Sequence, residues 1–110
     1  MDMVYSLEEI QRRAAPLIAK YRIPTLYLFG SYARGEATED SDLDFLVDTT
    51  GTALTSLLRL GALYCDLEAA FGKPIDLITV GSILQPSPTE SDSDFAAAVL
   101  RERVKLNAVA

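Results

Sequence analysis

Phe29-Gly30-Ser31-Tyr32-Ala33-Arg34-Gly35-Glu36-Ala37, followed by Ser41-Asp42-Leu43-Asp44-Phe45-Leu46-Val47, is the stretch that decides how this chain folds. Thr25 to Phe29 is a β-branched and aromatic run ending on a glycine, which predicts a buried strand meeting a tight turn. Ser31 to Glu36 leaves room only for a short helix before the polar residues 37–41, and a second strand follows at Leu43 to Val47. At the turn, Gly30 lets the backbone approach a ligand closely, while the Ser31 hydroxyl and the free amides of the helix start face an anion. The same two residues also suit an ordinary strand-to-helix turn with a serine cap. Asp42 and Asp44 are two apart, a spacing that puts both carboxylates on one side of a strand with Phe45 and Val47 on the other. Neighbouring carboxylates repel, and a divalent cation is the simplest way to keep both ionised. Taken alone, such a strand also suits a solvated sheet edge that discourages aggregation.

Upstream, Ser6-Leu7-Glu8-Glu9 fits a capping box, and Leu7, Ile10, Ala14, Leu17 and Tyr21 carry a first helix to about Tyr21, with a kink predicted at Pro16. Downstream, Ala53, Leu57, Leu60, Tyr64, Leu67 and Phe71 form an amphipathic stripe that stops at Gly72 and Pro74. Cys65 on this helix is expected in the core, as free cysteines usually are. Ile75 to Val80 is a third strand closed by Gly81, and it carries Asp76 where an apolar residue is the norm. Asp76 is either a solvent-facing acid or, if its strand neighbours the Asp42/Asp44 strand, the third oxygen donor of a hard-metal site. Leu84 to Glu90, with Pro86 and Pro88, suits a loop. A last helix then runs to about Arg103, with Glu90, Asp92 and Asp94 suiting its N-terminal dipole, and Val104 to Val109 offers a short edge strand. The order is α, β, short α, β, α, β, α, which predicts an α/β (α+β) domain spanning residues 1–110, with helices packed on a small mixed β-sheet.

Composition narrows the chemistry. The 110 residues are 49% apolar and 24% charged, a globular balance with room for one core. There is no histidine and one cysteine, which removes His-based acid/base catalysis, Ser-His-Asp and Cys-His triads, zinc fingers and internal disulfides. Three acids without His or a Cys pair favour Mg2+ or Mn2+ over zinc. A net charge of −6 argues against direct nucleic-acid binding through a broad basic face. The longest apolar run, Phe95 to Leu100, is too short for a membrane span, and residues 1–10 lack a signal-peptide pattern, so a cytoplasmic protein without membrane contact is expected.

Gly30-Ser31, ten residues, Asp42-Leu43-Asp44 and a later strand acid together resemble the signature of the nucleotidyltransferase superfamily related to DNA polymerase β. The longer phrase quoted first resembles the minimal nucleotidyltransferases (MNT), often antitoxins of HEPN ribonuclease toxins. Leu100-Arg101-Glu102-Arg103-Val104 resembles that family's closing helix and strand. The resemblance implies the polymerase β-like fold, two divalent ions held by Asp42, Asp44 and Asp76, and ATP as donor, with Asp76 also helping to deprotonate the acceptor hydroxyl. It implies that Gly30 and Ser31 hold the β and γ phosphates, with Arg34 and Ser41 as further phosphate contacts. The acceptor it implies is a tyrosine of a cognate HEPN toxin, in a hetero-oligomer. Two other functions fit the sequence: a non-catalytic antitoxin acting by occupancy, and a subunit of a small-molecule, aminoglycoside-type nucleotidyltransferase. Tyr32 and Tyr64 are candidate base-stacking residues, although ordinary packing is the commoner role of such side chains.

Overall fold

In the computed structural model, which describes residues 4–84 and 90–107, Ser6 opens the first helix as its capping box predicts. Its Oγ accepts the Glu9 amide at 3.1 Å, and α1 (Leu7–Tyr21) continues unbroken through Pro16. Pro16 and Arg12 are both exposed, so the Arg12 carbonyl that loses its helical donor faces water. Arg22 ends the helix in the left-handed region (φ 52°), its N–H turned back on Ala19 and Ile18.

Four strands follow: β1 (Thr25–Phe29), β2 (Leu43–Asp48), β3 (Ile75–Thr79) and β4 (Val104–Lys105). They form one mixed sheet in the order β3-β2-β1-β4. β1 is antiparallel to both β2 and β4, whereas β2 and β3 run parallel and are joined by the crossover helix α3 (Leu57–Phe71). The remaining helices are α2 (Gly30–Arg34), α4 (Val80–Leu84) and α5 (Glu90–Glu102). This is the small mixed α/β architecture that the sequence predicts. The Pro86–Pro88 loop and the end of the predicted Val104–Val109 strand fall outside the described residues.

Strand alternation divides the side chains between two faces. Leu26 and Leu28 of β1, Leu43, Phe45 and Val47 of β2 and Ile75 of β3 point to a core closed by Ile10 and Ala14 of α1 and by Leu63, Leu67 and Phe71 of α3. The other face carries Phe29, Leu46 and Ile78 against Val99 of α5. The predicted stripe of α3 holds in part: Leu67 and Phe71 are buried and Leu60 packs against the core, whereas its other members face outward and Leu63 takes a core place that the stripe omits. Leu57 is 86% exposed and Tyr64 also faces outward, while Leu54, in a 3-10 turn at Ala53–Thr55, fills the core in place of Ala53. Cys65 is exposed as well, contrary to the expected core position. Both sides of α3 are apolar, so the 3.6-residue period alone cannot choose between them. The choice is made by the crossover, which turns Leu63 toward the sheet. α4, which begins at Val80, was not legible in a sequence where Gly81 reads as the close of the third strand.

Candidate active site

Register brings two of the three predicted acids together. Asp44 is paired with Asp76 across the parallel β2–β3 ladder, and with Phe29 across the antiparallel β1–β2 ladder. Both carboxylates therefore lie on the α5 face, level with Phe29 at the end of β1, where α2 begins. β2 is an interior strand, so the solvated-edge explanation for its acids does not hold. Asp42 lies just ahead of β2, which begins at Leu43 as predicted, and the ladder does not fix it. It is exposed, and it shares the neighbourhood but not the strand with Asp44. Among the described residues no three acids are drawn tightly enough together to form a metal cluster.

The Asp44 carboxyl is half-buried and its pKa is pushed up to about 6. Burial is the main cause, followed by the charge of Asp76 and a hydrogen bond with that carboxyl, and then by the charge of Asp42; Arg34 pulls weakly the other way. Such a site holds excess negative charge that a hard cation relieves, and its donors are all carboxylate oxygens. Asp42, Asp44 and Asp76 thus fit Mg2+ or Mn2+ in donor chemistry.

Gly30 is required twice. Its φ is +74°, and a Cβ built there would sit 2.1 Å from Oδ2 of Asp44. Only a glycine lets α2 start this close to the carboxylate. No side chain caps that start, which leaves the first amides of α2, including that of the half-buried Ser31, open to a ligand. Gly30, Arg34, Asp44 and Asp76 line a groove of about 510 Å3 whose opposite wall is Phe95, Ala98, Val99 and Glu102 of α5.

Arg34 is in the groove but already engaged, pairing with Glu36 at 2.7 Å and with Glu102 at 3.0 Å. Ser41 serves the local backbone. Its Oγ accepts the Thr38 amide at 2.8 Å, closing the turn ahead of Asp42, and it does not line the groove. Tyr32 is buried with its hydroxyl accepting from Lys73 at 2.9 Å, and Tyr64 lies on the outer side of α3, so neither is placed as a base platform. The sequence did not single out Phe95, which is 50% exposed in the groove and edge-on to Phe29 at 6.2 Å. Its only signal was helical spacing to Val99 and Glu102. The pairing of Glu102 with Arg34, 68 residues away, had no local signal.

An uncapped helix start held by glycine against paired strand carboxylates defines the class of the nucleotidyltransferases. The nucleotidyltransferase domain family model matches residues 11–105, and this chain belongs to that family. It is a nucleotidyltransferase. Protein adenylyltransferase MntA of Thermococcus cleftensis is 38% identical over 103 residues, covering 90% of this chain and 94% of its own. Two solved structures share the fold at 21% identity. A toxin–antitoxin with AMP-PNP matches with a TM-score of 0.66 over 90% of this chain and 73% of that one. A complex of tri-AMPylated HEPN toxin from Shewanella oneidensis with its MNT antitoxin matches with a TM-score of 0.58 over 94% and 73%.

Proposed function

We propose that this chain transfers AMP from ATP to a hydroxyl, a tyrosine of a HEPN toxin, and acts as that toxin's antitoxin. The observation that carries the chemistry is the register pairing of Asp44 with Asp76 beside the start of α2. The similarity to a named protein adenylyltransferase over 90% of the chain supports a protein acceptor, and the fold shared with an MNT antitoxin supports a HEPN partner.

The groove suits an in-line displacement. In this reading the amides of Gly30 and Ser31, with the Ser31 hydroxyl, hold the β and γ phosphates, since unpaired N–H groups at a helix start favour anions. Arg34 and Ser41 are weaker candidates for the same role, because Glu36, Glu102 and Thr38 already occupy them. Asp42, Asp44 and Asp76 would hold two Mg2+ or Mn2+ ions, which supply charge neutralisation on the phosphates and acidify the acceptor hydroxyl. Asp76 is exposed at the groove and accepts the hydroxyl proton. The acceptor oxygen forms a bond to the α-phosphorus as the bond to the bridging oxygen breaks, and pyrophosphate leaves. Adding a nucleotide to the toxin supplies bulk and negative charge that oppose RNA binding.

The test is mass spectrometry of a HEPN toxin incubated with this protein, ATP and Mg2+, beside an Asp42→Ala/Asp44→Ala control with binding measured in parallel. A gain of one or more AMP units only with intact acids, and with toxin binding retained in the control, is the expected result. Tight binding without mass gain from any of the four nucleoside triphosphates would favour an antitoxin that works by occupancy.

A further inference from the structure

At the end of the sheet opposite the groove, α1 runs out beside the start of α3. Lys20, Tyr21, Arg22, Gly51–Leu54 and Arg59 line a hollow there of about 310 Å3. The Thr25–Asp48 pair marks this end and the Phe29–Asp44 pair marks the other. Four residues of strand separate them, about 13 Å at ~3.3 Å per residue, so the two hollows are distinct.

We infer that this hollow is a second binding site, for a phosphate-class anion, independent of the transfer reaction. Its lining carries three cations and no acid, in a chain whose net charge is −6. Two acids stand outside the lining and are already engaged: Asp66 accepts from Lys20 at 2.9 Å and from the Tyr21 hydroxyl at 2.6 Å, and Asp48 accepts the Thr50 amide at 3.0 Å. Arg22 and Arg59 make no side-chain ion pair among the described residues, whereas Arg12, Arg13 and Arg34 are each paired with glutamate. Arg22 and Arg59 both line this one concavity, whose lining holds no carboxylate, and guanidinium groups suit planar, forked recognition of phosphate oxygens. The backbone around them is fixed. Arg22 is held at positive φ by its bond to Ala19, Thr52 donates its hydroxyl to the Thr49 carbonyl, and Ser56 caps α3 at the Arg59 amide. Two arginines without a carboxylate partner among the described residues, beside a Lys20 shared with Asp66, suit one phosphate or diphosphate group and are too few to track a nucleic-acid backbone.

The anion is either free phosphate or pyrophosphate, or the 5′-phosphate of a nucleotide. Amide NMR titration of the whole chain separates these, using inorganic phosphate, pyrophosphate and AMP in turn, at fixed ionic strength and with divalent cations chelated. Saturable shifts at the Arg22, Gly51–Leu54 and Arg59 amides are expected, weakened at least tenfold in Arg22→Gln/Arg59→Gln and retained in Asp42→Ala/Asp44→Ala. AMP binding tenfold tighter than phosphate would assign a nucleotide, and equal or weaker AMP binding a free ion. Shifts confined to residues 30–34, or a linear drift that chloride reproduces, would overturn the inference. Glutamine keeps most of the arginine stem, and Arg59→Gln alone repeats the test without touching the strained position. Failure here leaves the transferase reading intact, because the mass-spectrometric test does not involve these residues.

Discussion

The two faces of the sheet are built from the same strands and do opposite things. On the α1/α3 face every strand residue that is buried is apolar, and Leu26, Leu28, Leu43, Phe45 and Val47 are completely so. On the α5 face the same alternation delivers Asp44 and Asp76 one step away from Leu46 and Ile78. A core of this kind tolerates no charge, whereas a groove tolerates a half-buried carboxylate because a ligand can later compensate for it. Stability is thus concentrated on one face so that electrostatic strain can be held on the other.

The contrast can be broken from either side. Phe45→Ala on the core face removes a fully buried ring packed at 5.6 Å against Phe71, and should cost about 3–5 kcal/mol in urea unfolding. Gly30→Ala, at the rim of the groove, combines a positive φ with a Cβ directed at Oδ2 of Asp44. It should cost about 1–3 kcal/mol in the same assay, and ATP binding followed by calorimetry should weaken as Asp44 is displaced. Asp44→Asn should do the reverse and stabilise the metal-free protein. The folded-state pKa of Asp44 is raised to about 6, so the folded protein holds the proton more tightly than the unfolded chain and loses stability as pH rises from about 4 to 6. The asparagine variant should therefore match the parent below pH 4 and exceed it by about 1–2 kcal/mol above pH 6, a figure already reduced for partial exposure. Thermal melts in chelator across that range check it. A constant difference at all pH values would mean that packing, not charge, limits this position.

Much of this division was legible in the sequence, and the exceptions share a cause. The capping box at Ser6, the glycine at 72 and the Gly30-Ser31 turn are local signals, and each sits where local rules put it. The side-by-side placement of Asp44 and Asp76 was conditional on strand order, which no local signal specifies. Cys65 and Tyr64 face outward against expectation, and Leu63 fills the core unannounced, because the outer side of α3 is also largely apolar. The second strand begins at Leu43 as read from the sequence, so the ladder fixes Asp44 while Asp42 stands just ahead of it. The α5 wall, with Phe95 and the Arg34–Glu102 pair, depends on contacts between distant parts of the chain and left only a spacing in the sequence.

Asn107 gives that wall an anchor. Its side-chain oxygen accepts the Leu26 amide at 2.6 Å, its amide nitrogen donates to the Pro24 carbonyl at 3.1 Å, and the neighbouring Leu106 amide donates to the Leu26 carbonyl at 2.8 Å. The segment that leaves α5 is thus clasped to the entrance of β1. For the Leu26 proton to meet water, this clasp must open, so its exchange with deuterium reports detachment of the segment behind α5. One backbone hydrogen at the foot of the first strand therefore acts as a gauge of how firmly the far wall of the groove is moored.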